Sequence, residues 1–497
     1  MIILSTILIS ALILSLFLSY QSNLPIQKSA IEIVNEMGFG YNLANSFDCY
    51  NNSMEINNPN EQITLLGNPI PTQKMINNIK KNGFKTIRFP VTWANFIDNL
   101  GNVNPQWMLR VKEVVKWIIN KNIYCILNIY HDSDIGNWIY DELNGKDKYF
   151  YLWKQIAEEF KDFNEYLLFE SMNQPNFIDN YWNFKYDIYY NFTQGFIDIL
   201  RKSGGFNSQR LLIISGYQYF EPLPLPLNDT ANKLAVSFNY YEPFWFTSDN
   251  SLYYLEWGRE NEYKTLFNDF EKLKENYIDK GIPIILSEIG VKTESKKNIL
   301  SIREYLYTLF SLSFDYSGLV CCLQDTSNKI FGDMNFYDRE TDKWHDDKIK
   351  DIFNKLSKNK NLKVTDFFIT TKIETTYETS DLGDYIIHLS KRKPLKLILN
   401  LSYKGELFVD YDFSISSLNK DYDFFDIMFG KENGKKQYDG TIIYTIDLSK
   451  EDCNVYIEII KWDGDEMFFN NVTIEYNETS NYFDYKSYRH EVLKEIS

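Results

Sequence analysis

The sequence predicts an α/β protein of two domains, a (β/α)8 TIM barrel followed by an all-β sandwich. At 497 residues, the chain is longer than a single hydrophobic core usually spans. From residue 37 onward, short apolar runs alternate with helical patterns, which is typical of parallel strands joined by crossover helices. After residue 356 the pattern changes to runs rich in Thr, Ile, Tyr and Phe. We therefore place the barrel at residues 30–356 and the sandwich at residues 364–478.

Eight apolar runs are the predicted barrel strands. They cover residues 37–43, 85–90, 124–130, 166–170, 210–214, 234–238, 283–286 and 318–323. Helical patterns lie between them, at residues 105–120, 149–163, 184–203, 259–280, 298–313 and 346–356. In the first of these, Val111, Val114, Val115 and Ile118 recur at helical spacing. Eight such units favour a barrel over a doubly wound sheet, and a barrel carries its functional residues at the carboxyl ends of its strands.

The C-terminal region contains eight more runs, with no helix-length periodicity between them. They cover residues 366–377, 385–389, 395–403, 407–416, 423–429, 441–448, 454–461 and 467–476. Such a succession predicts an antiparallel β-sandwich. Residues 479–497 form an acidic, aromatic tail.

The N-terminus has the pattern of a secretion signal. Residues 2–19 are apolar or hydroxylated, and no charge precedes Lys28. We predict a signal peptide at residues 1–21 and a secreted protein. The alternative is an uncleaved signal anchor, which would tether the chain to the membrane on its extracellular side. Six glycosylation sequons give weak support to a secretory route and a glycoprotein; they begin at Asn51, Asn191, Asn228, Asn400, Asn471 and Asn477.

Charge and composition exclude several classes of function. The net charge is -16 with acidic residues scattered along the chain, so nucleic acid is not an expected partner. The five cysteines form no disulfide framework, and Cys125, Cys321 and Cys322 lie in apolar runs where buried free thiols are expected. The four histidines are not clustered, so neither a metal site nor another cofactor is expected.

The strand ends carry the motifs that identify the barrel. In chain order they are GFGYNLAN from Gly38, GFKTIRFPVTW from Gly83, NIYHD from Asn128, NQP from Asn173, NYY from Asn239 and SEIG from Ser287. This series resembles glycoside hydrolase family 5, the cellulase-type retaining enzymes, over about residues 30–356. The resemblance implies a β-glucan or another plant-wall polysaccharide as the partner.

The resemblance also implies the roles of individual residues. Glu288 stands at the position of the nucleophile, and Arg88 would hold its carboxylate ionised. Asn173 would bind the sugar 2-hydroxyl, and Tyr241 would hydrogen-bond the nucleophile. An alternative for Arg88 is an ion pair with Glu288 that only caps the barrel and needs no substrate.

Four departures from the family pattern fall on the same surface. Gln174 replaces the acid/base Glu, and an amide can neither donate a proton at neutral pH nor activate water. Asn239 stands where the family usually has His, and Tyr130-His131 stands where it has His-His. Gln324 replaces the Trp that stacks under the sugar. We therefore expect hydrolysis to be impaired or absent.

Three further features of the sequence bear on the site and on ligand binding. Glu170 shares a strand face with Gln174 but lies four residues earlier, ~13 Å deeper at ~3.3 Å per residue, and is expected to be a structural carboxylate. Trp93, Trp138 and Trp245 each follow a strand end and are candidates for sugar stacking, with loop packing as the alternative. The runs at residues 438–448 and 455–462 loosely resemble strands of carbohydrate-binding modules, which makes ligand binding by the sandwich a hypothesis.

Three functions are consistent with the sequence. The first is a secreted, catalytically impaired relative of family 5 that binds polysaccharide. The second is a working endo-β-1,4-glucanase that uses Glu288 with an unidentified acid/base. The third is a scaffold or assembly protein, for which the tail at residues 479–497 is the candidate docking segment.

Overall fold

A computed structural model gives the fold of the chain. It describes residues 28–50, 58–132, 145–174, 185–216, 220–223, 226–248, 257–258, 260–293, 297–327 and 334–362, and the backbone of eight strands between residues 372 and 477. The predicted signal peptide, Trp138, Asn51 and the tail at residues 479–497 lie outside the described residues. No helix in the described part of the chain has both the length and the apolar character needed to cross a membrane.

Eight parallel strands close into a barrel in chain order. They are β1 (Phe39–Asn42), β2 (Phe84–Phe89), β3 (Tyr124–Asn128), β4 (Leu167–Glu170), β5 (Leu212–Ser215), β6 (Leu234–Tyr240), β7 (Ile284–Ile289) and β8 (Leu319–Leu323). Each strand pairs with the next, and β8 returns to β1 with Cys322 opposite Gly40 and Leu323 opposite Tyr41. The predicted TIM barrel is confirmed, and the doubly wound alternative is wrong because the sheet has no open edge.

Helices alternate with these strands along the chain. They are α1 (Ala30–Met37), α2 (Pro59–Ile63), α3 (Gln73–Lys81), α4 (Pro105–Ile119), α5 (Gly145–Phe160), α6 (Tyr186–Lys202), α7 (Phe244–Thr247), α8 (Glu260–Asn276), α9 (Ile299–Ser313) and α10 (Asp347–Leu356). A short antiparallel pair, β9 (Tyr337–Asp338) and β10 (Lys343–Trp344), lies between β8 and α10. The valines that predicted α4 are buried along one side of that helix.

Helix α1 packs against the amino-terminal end of the barrel. Ser29 and Glu32 form a capping box that satisfies backbone donors at its first turn. Its apolar face then joins the core of the barrel. The cluster contains Ala30, Ile33, Val34 and Met37 of the helix with Ile126, Leu168, Ile213, Ala235, Ile285, Val320 and Cys322 of the strands. This packing leaves the carboxyl ends of the strands as the end where polar side chains collect.

Gly40 shows how tightly the barrel interior is filled. A β-carbon at this position would lie 2.2 Å from the Cys322 sulfur, so only glycine allows the two strands to keep their contact. Cys322 therefore points into the barrel, and burial raises the pKa of its thiol to about 12. Cys49, Cys125, Cys321 and Cys322 are all buried free thiols, as expected for the three of them that lie in strands.

The C-terminal strands form two four-stranded antiparallel sheets. They are β11 (Lys372–Glu378), β12 (Tyr385–His388), β13 (Pro394–Leu407), β14 (Ser414–Leu418), β15 (Phe424–Met428), β16 (Gln437–Asp447), β17 (Tyr456–Ile459) and β18 (Met467–Asn477). The strand orders are β11-β18-β13-β16 and β12-β17-β14-β15. Eight antiparallel strands in two sheets are the elements that the predicted sandwich requires.

Candidate active site

Three charged side chains from three different strands meet at the carboxyl end of the barrel. Arg88 of β2 donates from Nε to Glu170 Oε2 of β4 at 2.7 Å and from Nη1 to Glu288 Oε1 of β7 at 2.8 Å. Arg88 and Glu170 are each 1% exposed. The expected contact between Arg88 and Glu288 is thus present. It is part of a buried triad that also includes Glu170.

Asparagines complete the hydrogen bonding of this triad. Arg88 Nη1 donates to Asn42 Oδ1 at 3.2 Å, and Arg88 Nη2 donates to Asn173 Oδ1 at 2.8 Å. Asn128 Nδ2 donates to Glu170 Oε2 at 2.8 Å. All three guanidinium nitrogens therefore have acceptors, which a buried charge requires.

The two carboxylates keep Arg88 charged. Burial alone would lower the pKa of this guanidinium, but the negative charges of Glu170 and Glu288 raise it above its ordinary value. Arg88 is therefore a fixed positive charge within hydrogen-bonding distance of the Glu288 carboxylate, the group that would attack an electrophilic carbon.

Tyr130 supplies a second donor to the same carboxylate oxygen. Its phenol donates to Glu288 Oε1 at 2.8 Å, and its ring lies beside the Arg88 guanidinium. Burial and the nearby Glu288 charge raise the pKa of Tyr130 well above its ordinary value, so the phenol stays protonated and remains a donor. Tyr130 points into the barrel mouth, as predicted from its position two residues after Asn128 on the same strand face.

Gln174 stands at the rim, outside this buried cluster. It is exposed and has a φ of 31°, in the left-handed region. Asn173, the residue before it, is held through both its backbone and its side chain. The Asn173 N–H donates to the Ile129 carbonyl at 2.9 Å, and the Asn173 side-chain oxygen accepts from Arg88. The backbone therefore presents residue 174 to solvent at the barrel mouth, and the group presented is an amide.

Glu170 cannot take over proton transfer from the missing acid. It is 1% exposed and accepts charge-assisted hydrogen bonds from Arg88 and from Asn128. A group that is both buried and paired in this way has no path to a glycosidic oxygen. The expectation that Glu170 is a structural carboxylate agrees with this position, although its pairing with Arg88 was not foreseen.

The two remaining substituted positions flank Glu288. Asn239 of β6 is the register partner of Glu288, and its Oδ1 accepts from the Ser287 hydroxyl at 2.7 Å. Gln324 follows β8, and its N–H donates to the Ile289 carbonyl at 2.7 Å. Within the described residues, Asn239 Nδ2 and Gln324 Oε1 are buried without a hydrogen-bond partner.

One of the proposed stacking residues is wrong. Trp93 is 0% exposed, and its indole Nε1 donates to the Asn128 carbonyl at 3.1 Å. A fully buried ring cannot offer a face to a sugar, so loop packing accounts for this residue. Neighbouring Asp132 accepts from the N–H groups of Trp93 and Ala94, which holds this turn in place.

The other predicted positions are only partly placed. The His131 ring lies 4.6 Å from the rings of Tyr50 and Tyr130, measured between centroids. Trp245 is 54% exposed, so its predicted stacking role stays a prediction. The carbonyl of Tyr241 accepts from the Thr247 hydroxyl, and the hydrogen bond that we predicted from Tyr241 to Glu288 likewise stays a prediction.

This arrangement contains the groups that nucleophilic attack by a carboxylate needs. It holds the Glu288 carboxylate beside a fixed cation and a protonated phenol, and it offers an amide at its rim. Within the described ranges, no group of three or more His, Cys, Asp or Glu side chains is arranged to hold a metal ion.

Known proteins similar to this chain are bacterial and protozoal glycanases. Endoglucanase A of Clostridium longisporum is 31% identical over 356 residues, which are 67% of this chain and 66% of that protein. Endoglucanase A of Ruminococcus albus is 30% identical over 354 residues, which cover 65% of this chain and 91% of that protein.

Solved structures similar to this chain include an endoglucanase and a lichenase. A GH5-4 broad-specificity endoglucanase from an uncultured bovine rumen ciliate has 45% identity and a TM-score of 0.64, covering 67% of this chain and 99% of its own. A lichenase of the same family from a Caldicellulosiruptor species, solved as a Glu-to-Gln mutant with cellotetraose, has 25% identity and a TM-score of 0.61 over 68% of this chain and 97% of its own.

The family model for cellulase matches residues 44–329, more than half of the chain. That span contains every motif quoted above from Gly83 to Ser287 and all the charged residues of the buried triad. The chain therefore belongs to glycosyl hydrolase family 5, the cellulase family.

Proposed function

We propose that this protein binds β-glucan or a related plant-wall polysaccharide at the barrel mouth and hydrolyses it poorly or not at all. The observation that carries the proposal is the exposed amide of Gln174 at the rim, beside a buried and intact Arg88–Glu288 pair. Losing a general acid/base costs typically ~10² to 10⁴ in rate, and a polysaccharide has a leaving group that needs protonation. Binding does not need that proton.

The relatives support the ligand class. Both curated relatives are named endoglucanases, and the lichenase structure joins a Glu-to-Gln mutant to cellotetraose. A family 5 site with one Glu changed to Gln is therefore compatible with holding a β-glucan chain.

A working endo-β-glucanase is the second candidate, and the names of the relatives favour it. It would require a proton donor other than Gln174. Glu170 is excluded by its burial and its ion pair with Arg88.

The test uses purified protein with carboxymethyl-cellulose, xyloglucan and mannan. Reducing ends are measured beside the Glu288→Gln variant, and affinity electrophoresis in the same polysaccharides measures binding. We expect retardation on at least one polysaccharide without Glu288-dependent release of reducing ends. Turnover within tenfold of an active relative, lost in the variant, would overturn the proposal, and no retardation on any polysaccharide would favour a protein scaffold.

We also propose that the protein is exported, because residues 2–19 form an apolar run typical of a secretion signal. N-terminal sequencing of the protein from its culture medium tests this. A mature terminus near residue 22 is expected, and a chain retained in the membrane fraction would favour the signal anchor.

A further inference from the structure

One glycosylation sequon lies in the connection between β5 and β6. It consists of Asn228, Asp229 and Thr230. Asn228 and Thr230 are both exposed, and the backbone at Asn228 belongs to neither a helix nor a strand. In an exported protein, an Asn-x-Ser/Thr sequence in a surface loop is an acceptor for N-linked glycosylation. The two residues that define this sequon are therefore on the surface of the folded chain.

The middle residue of the sequon fastens the loop to helix α6. Asp229 accepts from Arg201 Nε at 2.6 Å and from Arg201 Nη2 at 3.0 Å. Its side chain is only 3% exposed, and it also accepts from the N–H groups of Ala231 and Lys233. Asp229 thus turns toward the helix, while Asn228 and Thr230 on either side of it are exposed.

The backbone of Asn228 is fixed by a second residue of α6. Gln194 Nε2 donates to the Asn228 carbonyl at 2.9 Å, and the Asn228 N–H donates to Gln194 Oε1 at 2.9 Å. Both of these bonds use the main chain of Asn228 and not its side chain. A group attached to the side-chain nitrogen would extend into solvent and leave the contacts of the loop intact.

The sequon that begins at Asn191 is different. Asn191 is exposed on α6, but Phe192 and Thr193, the other two residues of that sequon, are 3% and 4% exposed. Its backbone is helical and its hydroxyl residue is buried once α6 has packed. The sequon at Asn228 stays accessible in the folded protein, and the sequon at Asn191 does not.

We propose that Asn228 carries an N-linked oligosaccharide. In the modification, the side-chain nitrogen of Asn228 forms a bond to the anomeric carbon of an oligosaccharide held on a lipid diphosphate. The bond between that carbon and the diphosphate oxygen breaks, and the lipid diphosphate leaves with the bonding electrons. The amide nitrogen loses one proton to a base of the transferase. This inference rests on the proposed export, because the donor and the transferase belong to the secretory route.

The glycan would lie away from the barrel mouth. Lys233, whose N–H donates to Asp229, directly precedes β6, which begins at Leu234. The sequon therefore lies toward the amino-terminal end of the barrel, whereas Glu288 lies at the carboxyl end. A bulky, solubilising group at Asn228 should cover the outer surface there and leave polysaccharide binding unchanged.

The experiment uses the protein isolated from its culture medium. Its peptides are treated with peptide-N-glycosidase in heavy-oxygen water, which converts a glycosylated Asn into labelled Asp, and are then measured by mass spectrometry. We expect the label at residue 228 in most molecules and in a smaller fraction at residue 191. Untreated peptides should carry no label at either residue.

Two variants exported from a eukaryotic host test the assignment. Thr230→Ala destroys the sequon but keeps Asn228 and the contacts of Asp229, so the label at residue 228 should disappear and the intact mass should fall by one glycan. Thr230→Ser is the matched control, because it keeps the hydroxyl and should keep the glycan. Thr230 is exposed, so both variants should keep the melting temperature of the unmodified wild-type chain.

The outcomes separate this inference from the proposed export. An exported chain with a mature terminus near residue 22 and no label at residue 228 would overturn the glycan and leave export standing. A chain that is found only inside the cell, without a glycan, would overturn both. A label that survives Thr230→Ala would reveal deamidation of Asn228, and a label at residue 191 in place of residue 228 would contradict the accessibility argument; either result would also overturn the inference.

Discussion

Two groups of side chains at the barrel mouth differ in how completely their polar atoms are hydrogen-bonded. In the first group, Arg88 pairs with Glu170 and Glu288. Asn42 and Asn173 accept from Arg88, and Asn128 donates to Glu170. In the second group, Asn239 and Gln324 each carry a buried atom without a partner among the described residues. Charged side chains are thus fully paired, and the neutral amides near Glu288 are not.

The two groups differ in how the fold depends on them. Removing one member of the charged triad would leave the other charges buried and uncompensated, whether or not a sugar is cleaved. Asn239 and Gln324 are neutral, so no buried charge depends on either of them. The buried pair of Arg88 and Glu288 is therefore weak evidence of catalysis on its own, because the fold also depends on it.

Removing the cation of the buried triad should lower the stability of the protein most. Arg88→Met leaves Glu170 and Glu288 buried without their cation, so the free energy of unfolding should fall by about 3–5 kcal/mol. Urea denaturation measures this. Adding Glu170→Gln to the Arg88 variant removes one uncompensated charge and should recover part of the loss; a double variant that is less stable still would contradict the triad.

The buried carboxyl of Asp132 should make the stability of the protein depend on pH. Its Oδ2 has no partner among the described residues, and burial raises the pKa of this carboxyl from 3.8 to about 7, against the lowering effect of the Trp93 and Ala94 N–H groups. Since the folded protein holds its proton when the unfolded chain has released it, wild-type stability should fall as pH rises from about 4 to about 7 and then level.

The Asp132→Asn variant should lack this slope. The difference between the two proteins should grow to on the order of 4 kcal/mol by neutral pH, at about 1.4 kcal/mol per pKa unit. Urea unfolding at a series of pH values provides the measurement. Parallel curves for the two proteins would show that Asp132 does not titrate in this range.

A smaller effect is expected at Tyr130. Tyr130→Phe removes the phenol that donates to Glu288 Oε1, and a hydrogen bond to a charged group contributes about 1.5–3 kcal/mol. Chemical denaturation should show a loss within this range that is constant up to about pH 9, because the raised pKa of the phenol keeps it protonated. A loss that shrinks between neutral pH and about pH 9 would show that the phenol is already ionised there, against the raised pKa of Tyr130.

The smallest effect is expected from restoring the acid alone. Gln174→Glu returns a carboxylate to the rim, but Asn239, Tyr130 and Gln324 remain in place, so carboxymethyl-cellulose turnover should rise less than tenfold. Reducing-end assays of the wild-type and variant proteins give the comparison. Recovery to the rate of an active relative would show that position 174 alone accounts for the loss.

The sequence predicted the barrel well because its signals are local. Each apolar run gave its strand, with ends that differ by a few residues; the run at residues 210–214 became β5 at Leu212–Ser215. The helical pattern at residues 259–280 ended earlier, at Asn276, because a 3-10 turn follows and Gly281 closes it with a φ of 82°. Such endings depend on packing that periodicity does not report.

The site was predicted only as far as side-chain alternation reaches. Alternation placed Arg88 and Tyr130 inward, but the pair between Arg88 and Glu170 joins two strands separated by a third, and no local pattern in the sequence pairs residues that are 82 positions apart. Trp93 was misjudged because a position after a strand end does not reveal which way the loop folds. The buried amide atoms of Asn239 and Gln324 that lack a hydrogen-bond partner among the described residues could not be predicted, because hydrogen bonding depends on where the neighbouring side chains lie in three dimensions.

Our proposal requires that Glu288 can act as a nucleophile and that Gln174 cannot transfer a proton. Both parts are tested by comparing 2,4-dinitrophenyl β-cellobioside with carboxymethyl-cellulose, with and without azide. On the aryl substrate, Glu288 would attack the anomeric carbon while dinitrophenolate leaves with the bonding electrons and needs no proton. Azide would then attack the same carbon, form β-cellobiosyl azide and release the Glu288 carboxylate.

We expect turnover of the aryl substrate that azide accelerates and Glu288→Gln abolishes, with turnover of the polysaccharide lower by ~10² or more. Comparable turnover of both substrates, without an effect of azide, would contradict this expectation and establish a working acid/base in this barrel.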